Sequence, residues 1–122
     1  MIERYFPHTD KITSPRQQQT DVFNEIIEKY KLGQTRFCLV MPTGAGKSPL
    51  AIALENYFIT EKQYSCLTTS PLNELVDQYS NDFEGIIKTL KGRSHYQCIS
   101  TGDTCDLGYC KQKVCSKWEN KL

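Results

Sequence analysis

Apolar residues recur along the chain with two different periods, and the places where the period changes divide it into elements. Residues 1–13 mix polarities around Pro7 and predict an extended or loop segment. Ser14-Pro15-Arg16-Gln17 then has the chemistry of a helix start: a hydroxyl that can cap, a proline suited to the first helical position, and a glutamine three residues after the cap. Val22, Phe23, Ile26, Ile27 and Tyr30 share one helical face, which predicts a helix to about Lys31 with Gly33 as its stop. Arg36 to Met41 is short, apolar and partly β-branched, the pattern of a buried strand. Pro42 to Gly46 is turn-forming. Leu50, Ile52, Ala53, Leu54, Tyr57 and Phe58 predict a second helix from about Lys47 to Thr60, with Pro49 in its first turn, where a missing N–H costs little. Tyr64 to Thr69 reads as a second strand. Pro71 to about Leu90 reads as a third helix, with Leu72, Leu75, Val76, Tyr79, Phe83 and Ile86 on its buried side.

Strand, helix, strand, helix predicts an α/β fold built on a parallel sheet. After Lys91 apolar periodicity stops, and Gly, Ser, Thr, Asp and Cys dominate. A boundary near residue 89 therefore separates residues 1–88 from a small loop-rich unit, 89–122.

Composition changes this picture little, and charge somewhat more. The chain has 122 residues, 39% hydrophobic and 24% charged, within the globular range. The longest apolar stretch, Phe37 to Met41, is far too short to span a bilayer. Met1-Ile2-Glu3-Arg4-Tyr5 lacks the basic and apolar regions of an export signal, so a cytoplasmic location and no membrane partner are expected. The net charge of +1 hides an asymmetry. Residues 1–87 carry 8 Lys/Arg against 11 Asp/Glu, whereas residues 88–122 carry 7 against 3. The basic end is either a solvated face or a surface that meets an anion such as a nucleic-acid backbone.

The most informative stretch is Pro42-Thr43-Gly44-Ala45-Gly46-Lys47-Ser48. Glycines let a backbone curl until several N–H groups face a phosphate, and the following helix N-terminus adds its positive dipole end. Lys47 would neutralise β- and γ-phosphate charge, and the Ser48 hydroxyl would ligate Mg²⁺. Thr43, Gly44, Ala45 and Gly46 complete the nucleotide cradle. The general pattern asks for glycine at position 41, where this chain has Met41.

Met41-Pro42-Thr43-Gly44-Ala45-Gly46-Lys47-Ser48 resembles the form used by superfamily 2 helicases. Two flanking stretches fit the same resemblance. Arg16 and Gln19 match an R-x-x-Q upstream of the loop, which implies adenine reading by the Gln19 amide; the alternative is an ordinary polar helix face. Thr69, Ser70, Leu75 and Gln78 match the segment with which these helicases hold single-stranded DNA, although Ser70-Pro71 also serves as a simple helix cap.

Gly92-Arg93-Ser94-His95-Tyr96-Gln97-Cys98 resembles the start of the iron–sulfur domain of XPD/DinG-like DNA helicases, and Cys105, Cys110 and Cys115 follow. The resemblance implies that Cys98, Cys105, Cys110 and Cys115 hold a [4Fe–4S] cluster, with Arg93 near the cluster or a DNA phosphate. Four thiolates also suit zinc, though the C-x6-C-x4-C-x4-C spacing lacks the tight C-x-x-C knuckle. Cys38 and Cys66 lie in the expected strands and read as inert core residues.

The resemblance thus implies a partial RecA-like P-loop NTPase sheet, with ATP, Mg²⁺ and a cluster as cofactors. Single-stranded or fork DNA, unwound 5′ to 3′, is the implied partner. The family's D-E-x-H box is missing, since no Asp-Glu pair occurs in the chain. The expectation is the N-terminal part of a longer helicase, completed by the rest of the motor. The alternative is a truncated, non-catalytic module that binds nucleotide or DNA, or docks on a protein partner, and carries a four-cysteine metal site.

Overall fold

The computed structural model describes residues 1–97 together with Gly102 and Thr104. Five helical elements run along it: a 3-10 turn η1 (Ile2–Arg4), α1 (Gln17–Lys31), α2 (Lys47–Lys62), α3 (Asn73–Asp82) and a second 3-10 turn η2 (Arg93–His95).

The expected parallel sheet is not formed among the described residues. Their only β pairings are two isolated antiparallel bridges, Thr9 with Ile12 and Gln97 with Thr104. Residues 36–41 and 64–69 carry strand-type side chains, but neither segment pairs with the other or with a neighbour. Strand-type composition reports fit to a half-buried pleated surface, and only a partner that takes the backbone N–H and C=O groups makes a strand of it. Without one, Leu39, Val40 and Leu67 stay exposed, and so do Cys38 and Cys66, which correct the expectation of core cysteines.

The α1 helix begins two residues later than the Ser14-Pro15 signal suggests. Arg16 is its N-cap, and the Gln19 side chain accepts from the Arg16 N–H at 2.8 Å. Gln19, at the third helical position, thus takes the role that the sequence pattern assigns to Gln17. Gly33 ends the helix as expected. At φ 97° it donates to the Tyr30 carbonyl, and the Gln34 N–H reaches back to Lys29.

The core lies between α1, α2 and the N-terminal segment. Phe23 and Ile27 of α1 and Leu50, Ala53 and Tyr57 of α2 are buried together with Ile2, Tyr5, Phe6 and Met41. Each fully buried side chain of this size contributes about 2 kcal/mol. Tyr5 meets the Tyr57 ring edge-on at 5.3 Å and stacks on Phe23 at 6.1 Å. The N-terminal segment, expected as a loop, is therefore a clasp. The Asn56 amide donates to the Tyr5 carbonyl, and the Tyr5 hydroxyl donates to Glu61 of α2.

The α3 helix is shorter than its pattern suggests. It stops at Asp82, and Gly85 at φ 78° turns the chain away. Only Phe83, just beyond the helix, is fully buried; Leu72, Leu75 and Ile86 are exposed. A Lys91–Asp77 ion pair at 2.5 Å and an Asn73–His95 hydrogen bond at 2.9 Å lay residues 91–95 along α3. No helix among the described residues is long and apolar enough to cross a membrane.

Candidate nucleotide site

The loop between Met41 and α2 is built by its glycines. Gly44 and Gly46 both adopt left-handed backbone, φ 80° and 83°, and Gly46 is the N-cap of α2. Between them the Ala45 N–H closes a turn onto the Pro42 carbonyl at 3.2 Å. Lys47 and Ser48 are the first two residues of α2, so its unpaired N-terminal N–H groups lie at the loop. A Cβ built on Gly46 would displace the Gln19 amide, and the left-handed backbone angle itself calls for glycine here.

Two side chains from the start of α1 hold this loop. The Arg16 guanidinium donates to the Gly44 carbonyl at 2.9 Å, and the Gln19 amide donates to the Gly46 carbonyl at 2.8 Å. Gln19 is the one buried polar side chain among the described residues, 3% exposed. Its carbonyl takes the Arg16 N–H and its NH₂ serves Gly46, yet each atom retains a second hydrogen-bonding position. The Lys47 ammonium donates to the Met41 carbonyl at 3.3 Å. The structure thus brings Arg16, Gln19, Thr43, Gly44, Ala45, Gly46, Lys47 and Ser48 into one neighbourhood.

A cleft of about 170 Å³ opens beside Gly46. Phe6, Ile12, Thr13, Arg16, Gln19 and Pro49 line it. Phe6, Ile12 and Thr13 come from the segment read as a loop, and nothing in their local pattern marks them. A larger cleft of about 380 Å³ lies between residues 8–11 and 81–85, and no residue of 42–48 lines it.

The remaining candidate residues are elsewhere. Thr69 and Ser70 precede α3. Ser70 accepts weakly from the Leu72 N–H at 3.4 Å, a local turn rather than a cap on the helix proper. Their neighbour Thr68 donates to Glu55 of α2. Beside it the Cys66 thiol donates to the Glu55 carbonyl, and partial desolvation, with the Glu55 charge nearby, raises its pKa above the usual thiol range. Arg93 opens η2. Cys98, Cys105, Cys110 and Cys115 lie outside the described residues. Among the described residues no cluster of metal-ligating side chains occurs.

The family model of the type III restriction enzyme res subunit matches residues 12–112. The chain belongs to the res-subunit family. The res-subunit domain is a superfamily 2 helicase-type domain, which places the chain in a superfamily of ATP-dependent helicase-type proteins. The match begins beside Thr13 and covers Arg16, Gln19, the loop, Thr69 and Ser70. It also runs past Arg93, Cys98, Cys105 and Cys110, and stops before Cys115. No curated protein and no solved structure matches the chain. The family shown is the res-subunit type, broader than the XPD/DinG-like resemblance of the cysteine segment.

Proposed function

We propose that this res-subunit-type chain binds Mg·ATP at the loop 42–48 and couples it to a nucleic-acid strand. The observation that supports this most is the double tether of the loop. With the Gly44 and Gly46 carbonyls taken by Arg16 and Gln19, the loop backbone is fixed beside the N-terminal N–H groups of α2, which would meet phosphate. Lys47 supplies the positive charge, and Ser48 offers a hydroxyl at the second position of α2 that fits a hard cation. Such an ion would neutralise phosphate charge at this end of α2. The cleft beside Gly46 takes the base, and the free hydrogen-bonding positions of Gln19 meet the adenine edge.

Thr69, Ser70 and Arg93 are proposed contacts for single-stranded DNA. Residues 89–122 are proposed as a separate metal-bearing unit of the XPD/DinG kind. Its donor set, four cysteines in 18 residues, suits a [4Fe–4S] cluster and, less well by spacing, zinc. Hydrolysis and 5′ to 3′ unwinding need an acidic residue beside the γ-phosphate. With no Asp-Glu pair in the sequence, both are proposed only for an assembly that supplies one.

The test is thermal melting with and without Mg·ATP. A ligand that binds only the folded chain raises the melting temperature, by an amount that grows with the logarithm of its concentration above Kd. The expected result is a rise with Mg·ATP that Lys47→Ala removes. An equal rise in both proteins would contradict the loop as the site. Iron, sulfide and zinc content of chain purified without oxygen separates cluster from zinc.

A further inference from the structure

We propose that Met41 is a positioning residue for Lys47, replacing the glycine of the general loop pattern with an apolar anchor; the inference rests on the nucleotide reading above. Met41 is 7% exposed and belongs to the same buried cluster as Ile2, Phe6, Phe23 and Leu50. The three residues after it, Pro42, Thr43 and Gly44, are all exposed. Met41 is therefore the last buried point before the loop, and Leu50 the next fully buried one after it. The loop is a bridge between two side chains fixed in one core.

That anchoring has a chemical consequence. The Met41 carbonyl accepts from the Lys47 ammonium at 3.3 Å. A lysine carries four rotatable bonds and loses much rotamer freedom when held, so a fixed acceptor narrows where the charge can go. The acceptor is fixed because the side chain on the same residue is packed. A glycine at 41 would leave the carbonyl on a freer backbone, with no side chain in the core.

The experiment is equilibrium binding of a fluorescent ATP analogue with Mg²⁺ to the full chain and to Met41→Leu, Met41→Gly and Ile27→Ala. Ile27 is buried in the same core but sits on α1, and serves as a control for stability loss alone. Measurements are made below the melting transition of every variant. If the glycine variant does not fold, Met41→Ala carries the same comparison. Met41→Leu keeps the anchor and is expected to bind within about twofold of the parent chain. Met41→Gly is expected to bind about tenfold more weakly, because its Lys47 must be ordered when the nucleotide binds. Ile27→Ala is expected to melt earlier yet bind as the parent does. Equal binding by Met41→Gly and Met41→Leu would overturn the inference while leaving the nucleotide site intact. So would a loss in Ile27→Ala as large as in Met41→Gly. No binding by the parent chain would overturn the nucleotide reading and this inference with it.

Discussion

Gly46 and Gln19 depend on each other. The glycine backbone angle excludes ordinary side chains, and the space where a Cβ would go holds the Gln19 amide. Gly46→Ala therefore meets both left-handed strain, about 1–3 kcal/mol, and a collision. Its melting temperature should fall, and Mg·ATP should no longer raise it. Gln19→Ala leaves the Arg16 N–H without its partner and the Gly46 carbonyl with only the Leu50 N–H, 3.3 Å away. Chemical denaturation should show a loss of about 1–3 kcal/mol, the cost of stranding such groups. An unchanged midpoint would mean that water replaces the amide. Lys11–Asp82 is a contrasting case. This pair is 3.3 Å apart with the lysine 77% exposed, and Asp82→Asn should cost under about 1 kcal/mol in the same assay.

At the scale of elements, the N-terminal clasp gives a pH signature. The Tyr5 hydroxyl donates to the Glu61 carboxylate, and this hydrogen bond is the main reason its pKa is raised above the ordinary value of 10.0. A raised folded pKa means the contribution is complete below the unfolded value and is lost as pH rises through the folded one. Tyr5→Phe should therefore be less stable than the parent chain at neutral pH. The gap should close as pH climbs above 10, which melting curves across that range would record. A gap that stays constant would mean the Tyr5 hydroxyl does not titrate against Glu61.

Helices are legible in this sequence and strand pairing is not, for one physical reason. Phe23 and Ile27, or Leu50 and Tyr57, announce a helix by their own spacing, and the bonds that make the helix lie within the same segment. Residues 36–41 announce only a preference, since their pairing depends on residues elsewhere. The end of α3 departs from its pattern because Phe83 and Ile86 continue the helical period while Gly85 breaks the backbone. In the site, the loop, Arg16 and Gln19 are readable from their motif spacing. Phe6, Ile12 and Thr13 reach the cleft only because the clasp folds back on α1 and α2. Met41 stands in the sequence merely as a departure from a pattern; its burial and its carbonyl bond to Lys47 need coordinates.

For the molecule as a whole, membership in the res-subunit family and the tethered loop support one proposal: that nucleotide phosphates bind at the loop 42–46 and the Lys47 end of α2. Calorimetric titration of the chain with Mg·ATP tests it most directly, because it counts sites and measures affinity together. The account predicts one site per chain, lost in Lys47→Ala and weakened when Mg²⁺ is withheld. Heat of binding that is identical in the parent chain and in Lys47→Ala would contradict it, as would the absence of any saturable binding by folded protein.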